Sequence, residues 1–168
     1  MSAPAADDDD AWAPTPLRLS FIDGEVSDWR QGAEDWARAQ PSLALAPGDA
    51  LYTGNNANFE VQTGSRSFVR ADENSQLSLV DQEEHRIQFK LASGRVSFDM
   101  RSMAVGDTVE VSTPSAVFVI EHPGYYRVEV KAARPISLPG AVARPRYGEL
   151  RKLPPTTPGP SPQPEHGA

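Results

Sequence analysis

Apolar and polar side chains alternate with a period of two over residues 17–131 of the chain. The alternation is clearest in Phe59-Glu60-Val61-Gln62 and in Ile87-Gln88-Phe89-Lys90-Leu91. A period of two places one set of side chains on a buried face and the other toward water, which is typical of β-strands. Each run is about 4–8 residues long and ends at turn-forming residues such as Asn, Asp, Gly and Pro. The pattern therefore predicts an all-β domain over residues 17–131.

A weak internal repeat divides this predicted domain. The segments that resemble each other first are Phe21-Ile22-Asp23-Gly24-Glu25-Val26-Ser27 and Leu91-Ala92-Ser93-Gly94-Arg95-Val96-Ser97. They are followed by Gly48-Asp49-Ala50-Leu51-Tyr52-Thr53 and Gly106-Asp107-Thr108-Val109-Glu110-Val111. Two stacked copies of one strand unit predict either a β-solenoid or a two-sheet β structure of short strands. One helical turn is expected at residues 32–39, and Pro41 would end it.

The two ends of the chain lack the alternation, and we expect both to be disordered tails. Residues 1–16 combine alanine and proline with four consecutive carboxylates, Asp7 to Asp10, which repel one another. These carboxylates could bind a divalent cation, but a solvated acidic arm is the favoured interpretation. Half of the 16 prolines lie from residue 139 onward, within the predicted tail 132–168, and this composition is typical of a stiff polyproline II spacer.

Composition removes several classes of function. The chain has 168 residues, a formal net charge of −7 and no cysteine. The absence of cysteine excludes thiol catalysis, cysteine-ligated zinc, iron–sulfur clusters and disulfides. The acidic balance argues against nucleic-acid binding, which needs a basic surface. No apolar run approaches the length of about 18 residues that a membrane-spanning helix needs.

The sequence contains no recognisable motif for catalysis or for metal or phosphate binding. There is no G-x-S-x-G nucleophile motif and no glycine-rich phosphate loop. The histidines are His85, His122 and His166, and their spacing does not suggest a zinc site or a catalytic triad. We therefore expect no catalytic residue, no metal and no cofactor.

Three aromatic residues are candidates for a binding surface: Trp29, Trp36 and Tyr52. They could line a groove for a sugar or a peptide. In the alternative interpretation they are structural, with Trp36 capping one end of the core and Tyr52 an ordinary strand residue.

The order of these features along residues 17–131 resembles the FecR domain, a module named after the periplasmic regulator of ferric citrate signalling. The matching motifs are Gly24-Glu25-Val26, then Trp36, Leu45-Ala46-Pro47-Gly48-Asp49-Ala50-Leu51-Tyr52-Thr53, Phe59-Glu60-Val61-Gln62-Thr63-Gly64-Ser65, the strand from Leu91 to Phe98 with Gly94, and Val111-Ser112-Thr113-Pro114-Ser115-Ala116. The resemblance supplies no catalytic residue. Instead it implies fold-determining turns at Gly24, Gly48, Asp49, Gly64, Gly94, Thr113 and Pro114.

Each turn residue has a physical reason. The glycines suit turns that need a positive φ or a close backbone approach. Asp49 is expected to hydrogen-bond the turn backbone two residues further on. Thr113 and Pro114 are expected to end a strand, because proline cannot donate to a ladder.

The resemblance implies a stand-alone FecR-like protein of the cell envelope, periplasmic or secreted. The anti-sigma region and the membrane helix that precede this domain in FecR-type sigma regulators do not occur in the sequence. Its start, Met1-Ser2-Ala3-Pro4-Ala5-Ala6, resembles what remains after a signal peptide is removed.

The leading hypothesis is a non-enzymatic module that binds a protein or an envelope polymer in signalling or scaffolding. Exposed strand edges would recruit the partner by strand addition. The alternative is a carbohydrate-binding or carbohydrate-active module that uses Trp29, Trp36 and nearby carboxylates.

Overall fold

A computed structural model describes residues 15–131 and 151–153, and every regular element in these ranges is a β-strand. The all-β class predicted from the alternation is confirmed. The strands are β1 (Leu17–Asp23), β2 (Val26–Trp29), β3 (Ala37–Arg38), β4 (Ala44–Leu45), β5 (Ala50–Thr53), β6 (Asn58–Gly64), β7 (Ser67–Ala71), β8 (Gln76–Gln82), β9 (Arg86–Met100), β10 (Thr108–Ser112), β11 (Val117–Ile120), β12 (Gly124–Val130) and β13 (Arg151–Leu153).

These strands form two sheets that share the long strand β9. Sheet A has the strand order β13-β12-β9-β7-β6-β1-β4, and sheet B has the order β3-β2-β5-β8-β9-β10-β11. Neighbouring strands are antiparallel except β9 and β10, which are parallel. Of the two arrangements that the repeat allows, the described residues adopt the two-sheet one.

Two glycines lie at crossings of the chain between the sheets. In β9, residues 86–93 pair within sheet B and residues 94–100 pair within sheet A. Gly94 stands at the changeover with a φ of 87°. Gly24, between β1 of sheet A and β2 of sheet B, has a φ of 78°. The paired glycines of the sequence repeat therefore lie at two of the points where the chain changes sheet.

One hydrophobic core fills the space between the inner faces of the sheets. Phe59, Phe89 and Phe98 are its largest fully buried side chains, and none is more than 2% exposed. The rings of Phe89 and Phe98 lie 5.9 Å apart and join the two halves of β9. Burying a phenylalanine of this kind contributes roughly 1.5–3 kcal/mol. The core therefore ties both sheets to the one strand that they share.

The helical turn expected at residues 32–39 is wrong. Ala37–Arg38 form β3, which pairs with Ser27 and Asp28 of β2. Gly32 has a positive φ of 86° in the preceding turn. A segment this short does not form a stable helix on its own, whereas added to sheet B it gains ladder hydrogen bonds.

The predicted tails fall mostly outside the described residues. This holds for the whole acidic run from Asp7 to Asp10 and for most of residues 132–168. Within the second tail, Arg151–Leu153 form β13 and pair with β12, so these residues depart from the expected disordered spacer. In the described ranges, no helix has the length and apolar character needed to cross a membrane.

Candidate binding surface

The two crossing glycines are closely packed against backbone. A Cβ atom added to Gly94 would lie 2.5 Å from Ser75 Cα and 2.6 Å from Asn74 O. A Cβ atom added to Gly24 would lie 2.9 Å from Ala57 Cα. Both positions combine this crowding with a positive φ, which L side chains adopt only with strain. They keep the backbone closely packed where the chain passes from one sheet to the other.

The two Gly-Asp turns of the repeat share one hydrogen-bond pattern. The Asp49 Oδ2 atom accepts a hydrogen bond of 2.9 Å from the Ala46 N–H, and Asp107 Oδ2 accepts one of 2.7 Å from the Ala104 N–H. Gly48 has a φ of 94°, which turns the chain so that the aspartate reaches back. Each carboxylate thus binds the backbone three residues before it, not two residues after it as expected for Asp49.

The remaining turn residues differ from one another. Gly64 is not among the glycines with positive φ, and its nearest neighbour, Ser67 Cβ, is 4.0 Å from an added Cβ atom. Gly64 therefore departs from the expected role. Thr113 lies in the turn between β10 and β11 together with Pro114, and its Oγ1 accepts a 3.0 Å hydrogen bond from the Ala116 N–H. The hydroxyl thus closes the turn that ends β10.

The structure separates the three aromatic candidates. Trp29 is half-buried on β2, and its Nε1 donates a 3.0 Å hydrogen bond to Ala33 O. Its indole therefore fixes the turn after β2. Trp36 and Tyr52 are 45% and 38% exposed, with ring centroids 6.3 Å apart in an edge-to-face arrangement. We call Trp36 and Tyr52 the aromatic corner. It lies on the outer face of sheet B, so Trp36 does not cap the core.

Exposed valines extend the apolar character of sheet B's outer face. Val80 of β8 is 48% exposed, and Val117 and Val119 of β11 are 60% and 49% exposed. These valines were not binding candidates in the sequence, because a valine on a strand has by residue type the character of an ordinary core residue. Their exposure is indicated by pairing: Val119 lies opposite Glu110 on β10, a strand in which polar and apolar residues alternate.

The outer face of sheet A is charged instead. Arg70 forms ion pairs with Glu60 at 2.6 Å and with Asp99 at 3.7 Å, and Asp99 also pairs with Arg101 at 2.9 Å. A groove of about 670 Å³ runs beside these residues, and Phe21 lies at its border. The charges on this face largely satisfy one another, so the two outer faces differ in kind.

His85 has more polar surroundings than His122, the other histidine that the structure describes. Its Nδ1 lies 2.8 Å from Asp107 Oδ1, and its Nε2 lies 3.8 Å from Glu84 Oε1. The hydrogen bond to Asp107 raises the pKa of His85, and the negative charge of Glu84 acts in the same direction. No serine or threonine hydroxyl hydrogen-bonds to this ring among the described residues. The contact links the loop between β8 and β9 to the loop before β10.

The other ionisable candidates do not converge. His122 contributes only its backbone carbonyl, which accepts a 2.9 Å hydrogen bond from the Tyr126 hydroxyl. His166 lies outside the described residues. Within residues 15–131 and 151–153, no group of three or more His, Asp and Glu side chains could hold a metal ion.

Comparison with known proteins gives one result. The family model described as FecR protein matches residues 49–137, which is more than half of the chain. No match was found among curated proteins or among solved structures.

Proposed function

Because the chain belongs to the FecR protein family, we propose that it is a non-catalytic module of the cell envelope that binds another protein in signalling or scaffolding. The family is envelope-associated, and its members generally have regulatory or signalling roles. In keeping with that family, we propose a periplasmic or secreted location for this chain.

The aromatic corner carries the proposal for protein binding. Trp36 and Tyr52 expose large rings in contact with each other, and such rings are over-represented among the residues that dominate protein interfaces. A large aromatic side chain left in water forgoes the stabilisation of burial. A partner that covers both rings would recover it.

Sheet B also supplies a surface on which a partner could lie. Val80 lies on β8, the strand next to β5, and adds an exposed apolar side chain to the same face as Tyr52. The ion-paired outer face of sheet A would require a partner to desolvate paired charges.

A capture experiment tests this function with matched variants. The immobilised full chain is exposed to envelope extract, and the bound protein is identified and its affinity then measured with purified components. We expect Trp36→Ala to weaken binding at least tenfold, because interface aromatics cost about 2 kcal/mol or more on truncation. Phe21→Ala is the control, since Phe21 is 51% exposed and borders the groove on sheet A. Equal binding by wild type and both variants would contradict the proposal.

A carbohydrate ligand is the second candidate, and the same aromatic pair favours it. Exposed aromatic rings also stack on sugars, so Trp36→Ala would then abolish binding of envelope oligosaccharides and leave the fold intact. Trp29 is a poor test residue because its indole holds the turn at Ala33. Saturable binding of a purified envelope oligosaccharide by wild type and not by Trp36→Ala would favour this candidate over protein binding.

A further inference from the structure

The described strands leave four sheet edges, and three of them are very short. The edge strands β3 and β4 have 2 residues each, and β13 has 3. Short edge strands are one of the ways in which proteins prevent their sheets from pairing with other chains. The fourth edge, β11, has 4 residues, Val-Phe-Val-Ile. It contains no charge, no proline and no register shift against β10.

The backbone of β11 presents free hydrogen-bonding groups at this edge. The Thr113 N–H donates a 2.8 Å hydrogen bond to Ala116 O at the start of the hairpin. Hydrogen-bonded and non-hydrogen-bonded pairs alternate along an antiparallel ladder. When the alternation is continued from that bond, the backbone groups of Phe118 and Ile120 hydrogen-bond to β10. The backbone N–H and C=O groups of Val117 and Val119 point away from β10. The same two valines also have exposed side chains.

We propose that β11 pairs in antiparallel fashion with β11 of a second copy of this chain, about a two-fold axis at Phe118. This inference goes beyond the proposed function and does not rest on it. In that register Val117 lies opposite Val119 of the second copy, and the reverse pair follows by symmetry. Each of these pairs exchanges both backbone hydrogen bonds, about four bonds in all. Sheet B then continues without a break into sheet B of the second copy.

The sequence of β11 favours a second copy as the occupant. With Phe118 on the axis, Val117, Phe118 and Val119 face only one another. Ile120 lies opposite Ala116 of the second copy, and Ser115 lies opposite Glu121. No two like charges are therefore placed opposite each other, which would destabilise the pair. The two Phe118 rings continue the inner face, and four valines meet on the outer face. One apolar strand thus supplies both halves of the interface.

Sedimentation equilibrium of the full chain tests the dimer. Wild type is expected at twice the chain mass of 18.2 kDa, dissociating on dilution. Val119→Lys places its charge opposite Glu110 of the same chain, so the fold is expected to be retained. The same charge lies at the edge where the copies pair, so the dissociation constant of the dimer is expected to rise at least tenfold. Val119→Pro removes an N–H that β10 does not use, and is expected to act in the same way. Two different changes keep the test decisive if one variant unfolds.

Val80→Lys is the matched control. Val80 has nearly the same exposure as Val119, 48% against 49%, but lies on an interior strand of the same face. It should leave the dimer unchanged. If Val80→Lys and Val119→Lys weakened the dimer equally, the two copies would be stacked through the outer faces of sheet B. That result would overturn edge pairing. A wild-type chain that remains monomeric at millimolar concentration would overturn the dimer itself.

Cross-linking tests the register. The chain has no cysteine, so one introduced thiol is unique. In the proposed register the Phe118 positions form a non-hydrogen-bonded pair with Cβ atoms about 4.5–5.5 Å apart, within reach of a disulfide after a small shift. Mild oxidation of Phe118→Cys is therefore expected to give a covalent dimer, and Val80→Cys is not. Absence of a disulfide from a dimeric Phe118→Cys chain would contradict the register.

Different variants test the dimer and the proposed function, so that one can be contradicted without the other. Trp36→Ala should lose the partner protein and keep the dimer, whereas Val119→Lys should lose the dimer and keep the partner. A dimer without any bound partner would leave the inference standing and remove the proposed function.

Discussion

Gly94 shows how a single residue can determine the path of the chain. It combines a positive φ with backbone contacts on the side where a Cβ atom would lie. Ser75 is fully buried there, and its Oγ accepts a 2.9 Å hydrogen bond from the Arg95 N–H. Gly94 cannot gain a side chain without moving the buried Ser75 backbone. The crossing between the sheets therefore depends on this position.

We predict that Gly94→Ala lowers the free energy of unfolding by about 3 kcal/mol, from the strain of positive φ and the clash with Ser75 together. Gly106→Ala is the control, since Gly106 has a φ of 93° but no atom within 4 Å of an added Cβ. Gly106→Ala should lower the free energy of unfolding only by the strain of the positive φ, about 1–2 kcal/mol. Urea denaturation measures both values, and equal losses would show that crowding at Gly94 is not important.

The His85–Asp107 contact predicts a dependence of stability on pH. Because Asp107 raises the pKa of His85 in the folded chain, the contact stabilises the fold fully below the usual histidine pKa of about 6.5. That contribution is lost as the pH rises through the raised pKa. The melting temperature of wild type should therefore exceed that of His85→Gln most at acidic pH, with the gap narrowing as pH increases. A gap that stays constant from acidic to alkaline pH would contradict the ion pair.

At the scale of elements, the two Gly-Asp turns are copies of one device in different surroundings. Both carboxylates bind an N–H three residues back, but Asp49 is 4% exposed and its Oδ1 also lies 3.4 Å from the Gln31 N–H. The Asp107 side chain is 31% exposed. Solvent can replace the lost acceptor more easily at Asp107 than at Asp49, because the Asp49 carboxylate is the more deeply buried of the two.

We predict that Asp49→Ala lowers the free energy of unfolding by about 2 kcal/mol and Asp107→Ala by less than ~1 kcal/mol. Each variant serves as the control for the other, because the turn and the substitution are the same. Chemical denaturation at alkaline pH, where the His85 contact no longer contributes, gives the comparison. A larger loss for Asp107→Ala would show that burial does not set the strength of these turns.

The sequence predicted a strand wherever one face of that strand is polar. Period two was enough for β6 and the first half of β9, since Glu60 and Gln88 alternate with buried rings. In β11 it predicted Phe118 and Ile120 on the core side, where both pack against the core. It could not predict β3, because two residues have no period and form a strand only through pairing with β2.

At the scale of the whole molecule, pairing between distant segments determines which sheet each strand joins and which side chains are exposed. The sequence alone did not predict either. The repeat located the two crossing glycines, but the sheet that each strand joins depends on contacts far apart in sequence. Trp29, Trp36 and Tyr52 formed one candidate surface from their residue type alone. Burial separates them, because the Trp29 indole has a partner in its own turn and the other two rings have only each other. An exposed surface of this kind is a property of the assembled sheets.

The central claim is that the outer face of sheet B binds another protein through the aromatic corner. The most direct test is a photo-crosslinking amino acid in place of Tyr52 in the full chain, exposed to envelope extract. A parallel sample carries the same group in place of Phe21, which is 51% exposed against 38% for Tyr52 but borders the groove on sheet A. We predict one discrete protein adduct from position 52 and none from position 21. Adducts from position 21 alone, or the same adducts from both positions, would contradict the account.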